Sequence, residues 1–143
     1  MAIIEHLREY IASCPILKEG YFNVDRLGTD ITEYTIDTTP CDTIVRKYVD
    51  GSSIRQFEFV FASRESYGSD IPQNIDNSEF YEQFARWIEN NNESLSDLLS
   101  LDNYQTAQYI ELVTSGYAYD VGDNSARYQI QLRLVYYQDR RYR

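Results

Sequence analysis

The residues best suited to chemistry are few. The chain has one histidine, His6, two cysteines, Cys14 and Cys41, and 23 acidic residues in 143. Nucleophilic catalysis of the serine or cysteine type needs a nucleophile, a base and a group that orients the base. His6 is the only histidine available as base, and its neighbours place it on the polar side of an amphipathic helix. A lone histidine in such a place is more often a bystander than a general base. One histidine and two scattered cysteines make a poor zinc site, and the cysteines read as two reduced structural thiols. Asp120-Val-Gly-Asp-Asn-Ser has the flavour of a calcium loop and fails its pattern. Gly122 stands where the second ligand belongs, Ser125 where the turn glycine belongs, and Gln131 where the bidentate glutamate belongs. It reads better as a turn rich in Asp and Asn. Neither GxGxxG nor GxxxxGK[ST] occurs, so no phosphate-cradling loop is expected. With 23 acids some carboxylates must fall in pairs, and nothing singles one out. No catalytic residue, cofactor or metal is therefore expected. Asn92-Glu93-Ser94 is a glycosylation sequon by letter only, because the N-terminus lacks the basic lead and apolar core of a secretory signal.

The elements that would carry these residues follow from periodicity. Residues 2–14 read as a helix: Ile4, Leu7 and Ile11 make a stripe that Ile3 and Tyr10 widen, and Pro15 ends it. Phe22 and Val24 alternate in a short candidate strand. Residues 32–38 set Tyr34 and Ile36 against Glu33, Thr35 and Asp37, the pattern of a half-buried strand. Two β-rich runs, 43–49 and 54–62, flank Asp50-Gly51-Ser52-Ser53, which predicts a hairpin over 43–62. Residues 63–76 read as a loop and 77–91 as the second helix, with Phe80, Tyr81, Phe84, Trp87 and Ile88 forming its apolar stripe. Residues 93–105 read as either a helical turn or a loop that tucks Leu95, Leu98 and Leu99 inward. A closing hairpin spans 107–137. In it Tyr128, Ile130, Leu132, Leu134 and Tyr136 face one way and Arg127, Gln129, Gln131 and Arg133 the other. Residues 138–143 are a basic tail. The expected core joins Ile4, Leu7, Ile11, Phe57, Phe59, Phe61, Phe84, Trp87, Ile130, Leu132 and Leu134. The order predicts one α+β domain over 1–143, a mainly antiparallel sheet of four to five strands with two helices on one face.

Composition bears on partners. Fourteen tyrosines among 21 aromatic residues, and 11 arginines against 2 lysines, suit protein interfaces. They suit an aromatic core and a solvated surface equally well. The net charge of −10 is uneven. Residues 1–64 carry a net −3, residues 65–124 carry −11 and residues 125–143 carry +4. So acidic a chain does not grip nucleic acid over its whole surface. No apolar run is long enough to span a bilayer, and no membrane partner is expected. The tail arginines Arg140, Arg141 and Arg143 read either as a contact with an acidic surface, such as 65–124 of another subunit, or as a free chain end.

Three segments resemble one family. Tyr48-Val-Asp-Gly-Ser-Ser-Ile-Arg-Gln-Phe-Glu-Phe-Val-Phe-Ala-Ser-Arg-Glu-Ser-Tyr-Gly-Ser-Asp70 resembles the central segment of small proteins from long-tailed bacteriophages and prophages of Gram-positive bacteria. Asn77-Ser-Glu-Phe-Tyr-Glu-Gln-Phe-Ala-Arg-Trp-Ile88 resembles their second helix. Thr114-Ser-Gly-Tyr-Ala-Tyr-Asp120, with Ala126-Arg-Tyr-Gln-Ile-Gln-Leu-Arg-Leu-Val-Tyr-Tyr137, resembles their closing hairpin. The family is labelled minor capsid protein, and its size and fold order are similar to those of tail terminators. The resemblance covers nearly the whole chain apart from 93–105 and the tail. Some members also carry a chloramphenicol-resistance label, which this sequence does not support. A His-x-x-x-Asp motif starting at His6 would need Asp at position 10, where the chain has Tyr10.

The resemblance implies a virion structural protein of the tail or neck, present in the host cytoplasm during assembly. It would form a six-fold ring on the head-proximal end of the tail tube. Its partners would be copies of itself, the tube protein and a neck or head-completion protein, with DNA passing through unbound. On that view Tyr48, Asp50, Arg55, Arg127, Arg133, Arg140, Arg141 and Arg143 are candidate interface residues. Two other roles stay open: a neck or minor capsid component that contacts the portal complex, and a monomeric intracellular module that binds a ligand or a protein.

Overall fold

Two fourteen-residue strands pair along their full length at the centre of the molecule. The computed structural model describes residues 2–17, 22–24, 34–66, 71–121 and 125–141. In chain order these form α1 (Ile3–Ala12), β1 (Phe22–Val24), β2 (Tyr34–Thr38), β3 (Ile44–Lys47), β4 (Ser53–Ser66) and α2 (Ile71–Asn91). A 3-10 turn (Asn92–Ser94) and the short α3 (Leu95–Leu98) follow, then β5 (Gln105–Leu112), β6 (Tyr117–Val121) and β7 (Ser125–Gln138). β4 and β7 run antiparallel from Ser53 opposite Gln138 to Ser66 opposite Ser125. β2 and β3 both lie along the outer side of β4, and β5 and β6 both lie along the outer side of β7. β1 adds to β2 in parallel. The fold is α+β, as the sequence implies, and among the described residues its sheet has seven strands rather than four to five.

The extra strands arise where a long ribbon is flanked by shorter, broken partners. The first arm of the expected 107–137 hairpin is not one strand but two, β5 and β6. It begins at Gln105 and breaks at 113–116, where the Val113 and Thr114 amides both reach the Gln131 carbonyl. Residues 63–76 are not a loop either. Residues 63–66 complete β4, and the second helix starts at Ile71 rather than at 77. Pro72 permits this, because its missing N–H falls in the first turn, where no acceptor exists inside the helix.

The expected hairpin is present. Gly51, at φ +95°, donates to the Tyr48 carbonyl at 3.1 Å, and the Tyr48 amide donates to the Ser52 carbonyl at 3.0 Å. This is a tight turn followed by a left-handed glycine, the bulged hairpin loop that a Gly makes cheaply. The segment left open between helix and loop resolves into the 3-10 turn and α3. It buries Leu95 and Leu99 but leaves Leu98 half exposed.

One face of the sheet is apolar and takes the helices. Phe61 sits at its centre, stacked on Phe84 with centroids 4.5 Å apart and on Tyr34 at 5.7 Å, with Phe22 and Tyr81 tilted against it. Leu7, Ile11, Phe59, Ile130, Leu132 and Leu134 are buried as expected. Ile4, Phe57 and Trp87 are not; they pack on the rim of the core, half covered. Trp87 lies between the helices, stacked on Tyr10 at 5.0 Å, because α2 turns its Tyr81–Phe84–Ile88 side squarely into the sheet.

Tyr81 fastens α2. Its buried hydroxyl donates to the Tyr128 carbonyl at 2.9 Å and takes a hydrogen bond from Ser63 at 2.7 Å. Burial pushes this phenol far above its ordinary pKa, so it stays a donor at any ordinary pH. Gly116 makes room for it: a Cβ there would lie 2.5 Å from that of Tyr81. Gly116→Ala should therefore cost about 1–3 kcal/mol by overpacking, read from chemical denaturation at unchanged m-value. Phe84→Ala should cost about 3–5 kcal/mol and Trp87→Ala about half that, because only the first leaves a closed cavity. Equal losses at the two positions would contradict this placement of Trp87.

Candidate interface on the sheet and its hairpin arm

The open face of the sheet is built by the residues that alternate with the core positions. In β7 these are Arg127, Gln129, Gln131 and Arg133, and two hydrogen-bonded chains run across the strands from them. In the first, Arg127 donates through Nη2 to Asp37 Oδ2 at 2.7 Å and through Nε to Gln129 Oε1 at 2.9 Å. Asp37 also accepts from Thr35 at 2.9 Å. The Arg127 side chain reaches β2 across β4, where Ala62 stands between Thr35 and Gln129. Gln129 and Gln131 then both donate to the Tyr117 hydroxyl, at 2.7 and 3.1 Å. In the second chain, Arg133 pairs with Glu111 and donates to Gln56 at 2.9 Å, and Gln56 donates to the Asp42 carbonyl at 2.6 Å. These two arginines, read from sequence as candidate interface residues, thus bind strands of their own sheet together.

The other candidates gather at the end of the ribbon where β4 begins and β7 finishes. Tyr48 and Asp50 lie in the hairpin loop. Asp50 Oδ1 accepts from the Ser52 amide at 2.9 Å and the Ser52 hydroxyl at 2.6 Å, and these bonds hold its carboxyl below the usual carboxylate range. Arg55 donates to Ser53 at 3.0 Å. Arg140 and Arg141 follow β7 and come beside the loop; a Cβ on Gly51 would lie 3.4 Å from that of Arg140. Arg141 bonds Asp139 at 3.0 and 3.1 Å and covers the Tyr104 ring, 4.4 Å from its centroid. Asp139 is held low by these bonds. So much of the basic tail folds back onto its own turn. Arg143 lies outside the described residues.

Periodicity did not reveal the most exposed apolar group. Every residue of β3 is exposed, and with the loop it presents Ile44, Val45, Tyr48 and Val49 to solvent, Val49 completely. The only signal in the sequence was a valine at the tip of a turn, where polar residues are usual. Arg46 and Lys47 interrupt this apolar group between Val45 and Tyr48, and neither holds an ion pair among the described residues. The outer edge of β5 is treated differently. The Asn92 side chain accepts from the Ile110 amide at 2.9 Å and donates to the Ile110 carbonyl at 3.0 Å, which occupies that edge as a partner strand would.

His6 is half buried rather than on a bare polar face. Its Nε2 lies 3.1 Å from Asp102 Oδ2 and ties α1 to the turn before β5. Ser13, which shares the adjoining cleft, donates its hydroxyl to the Tyr10 carbonyl. Cys14 is buried, and its thiol is pushed up by burial. Among the described residues no group of three His, Cys, Asp or Glu side chains is placed to hold a metal. Among the described residues no helix is long and apolar enough to cross a membrane. Compared with known proteins, the chain is matched by no family model and by no curated protein.

The open-face network can be tested by substitution. Arg127→Ala should cost about 1–3 kcal/mol, because it strips partners from Asp37 and from the buried Gln129. Arg127→Lys should recover little, since an ammonium cannot reach both acceptors with the guanidinium's geometry. Arg133→Ala, whose partner Glu111 is half exposed, should cost under about 1 kcal/mol. Urea denaturation of the three variants checks the order.

Proposed function

We propose that this chain is a virion structural protein that forms a ring on the head-proximal end of a phage tail tube, ends tube growth and enables head–tail joining. The observation that carries the reading is the β3–β4 hairpin. It is an exposed, largely apolar arm with two cations, on a chain that occupies the edge of β5 with Asn92. Open edge strands bind other chains, and monomeric proteins usually blunt them. The resemblance of the 48–70, 77–88 and 114–137 segments to tail-terminator-like proteins supplies the setting.

Capping needs no covalent chemistry. The last ring of a growing tube offers surface that would accept another tube subunit. A ring that matches this surface on one side and differs on the other blocks further addition. Contacts repeated around a closed ring act together, so each one can be weak. On this reading the acidic exposed residues Asp76, Glu89, Glu93 and Asp97 of α2 and its continuation are suited to a channel through which DNA must slide without sticking.

Deletion of the gene from its phage, followed by electron microscopy, should yield overlong tails without heads. Tails of normal length beside defective heads would instead place the protein on the capsid side, as a neck or minor capsid component.

A further inference from the structure

The hairpin arm has a counterpart elsewhere on the same chain. Where β5 breaks from β6, a cleft of about 500 Å³ opens between α2 and the segment 113–116, which approaches Tyr81 closely at Gly116. Ala85 and Tyr81 of α2 line one wall, Leu112 and Val113 line the other, and Ile130 closes the floor. Glu82 stands on the rim and is exposed. The volume suits several side chains rather than a single water. The walls mix apolar Ala85, Leu112 and Val113 with polar Ser78, Thr114 and Ser115, and the rim and neighbouring helix face are acidic: Asp76, Glu79, Glu82 and Glu89 are exposed on α2, against the single cation Arg86. The arm has the opposite character: the cations Arg46 and Lys47 stand between exposed Val45 on one side and exposed Tyr48 and Val49 on the other.

The two surfaces cannot meet within one molecule. The cleft lies at Ile130, and the arm starts where Ser53 pairs with Gln138. Eight residues of strand separate them, about 26 Å along a rigid ribbon. Arm and cleft are also different surfaces, so an arm of one chain seated in the cleft of another leaves each chain with one of either kind unused. Such head-to-tail contacts propagate until the rotation closes them into a ring.

We infer that the occupant of the cleft between α2 and the β5–β6 break is the Tyr48–Val49 hairpin tip of a second copy of this chain, with Arg46 and Lys47 of the arm facing Glu82 and Glu79 of the acceptor. The inference deepens the ring reading and rests on it for closure alone. Val49 supplies the apolar anchor, and the charge pairs set which way round the copies meet. A symmetric pairing of two β3 edges would set Arg46 and Lys47 beside their own copies, which opposes that alternative.

The test uses the full chain with Cys41→Ser and two single variants, Val49→Cys and Ser115→Cys, both at exposed positions. Mixed under mild oxidation and read by intact mass, the pair should give a covalent Val49→Cys–Ser115→Cys product roughly tenfold above either variant alone, as proximity raises effective concentration. Adding Glu82→Arg and Glu79→Arg to the acceptor should lower that yield, and Arg46→Glu with Lys47→Glu on the arm should restore it. A mixed product no more abundant than the products of the single variants overturns the inference. So does a product dominated by Val49→Cys with itself, which would mean that two arms zip together. Tail length in the gene deletion is a separate readout. Cross-linking with normal tails would sink the capping role and keep the contact, whereas overlong tails without cross-linking would do the reverse.

Discussion

The pairing of Ser53–Ser66 with Ser125–Gln138 is the constraint from which the other elements take their positions. Fourteen facing residue pairs hold both strands in one register, and a slip of one residue would turn Phe59, Phe61, Ile130 and Leu132 to the wrong face. With that register set, the apolar face presents Phe61 to Phe84 and Tyr34, and Ser63 with the Tyr128 carbonyl to the Tyr81 hydroxyl. The Tyr81 bonds are directional where aromatic packing is not. They fix the height and rotation of α2 on the sheet, and the bare backbone of Gly116 allows the approach.

The same ribbon explains how the edges differ. It is longer than any strand beside it, so each flank is filled by two short pieces with a break between them. On the β7 flank the break forms the cleft, and Asn92 satisfies the backbone of β5 at Ile110. On the β4 flank the lower piece is β3, which keeps one side toward solvent and carries apolar side chains. Exposing valine and isoleucine on an edge strand invites association, and a fold that guards one edge and leaves another open is suited to a chosen partner. The proposed ring and the arm-in-cleft contact both start from this asymmetry.

Electrostatics divides the molecule in a related way. On the open face, arginines are spent inside the chain: Arg127 on Asp37 and Gln129, Arg133 on Glu111 and Gln56. That face is therefore a braced surface more than a source of free charge. Arg46 and Lys47, which hold no ion pair among the described residues, sit on the arm, while α2 collects acids. Complementary ends of this kind favour head-to-tail orientation over symmetric pairing, because like charges repel in the symmetric arrangement.

Local pattern was enough to reveal the elements that obey a simple period. The stripe of α1, the alternation of β4 and β7, the Asp-Gly turn and the α+β class were all legible, because burial on one face imposes period 3.6 or 2 directly on residue types. Legibility failed where distant segments decide. Whether 63–66 continues a strand depends on β7 being long enough to pair with it. Whether Trp87 or Tyr81 points into the core depends on the rotation of α2, which the Ser63 and Tyr128 groups on other elements set. The candidate interface was partly legible for the same reason. Arg127 and Arg133 were visible as an outward row, but their acceptors Asp37 and Glu111 lie 90 and 22 residues away and join them only across the sheet. The 43–62 hairpin was legible as a candidate arm, but the complete exposure of Val49 and the cleft came from tertiary structure. Val49 looks in sequence like any valine beside a strand, and only the end of the ribbon at Gln138 leaves it with nothing from its own chain to cover it.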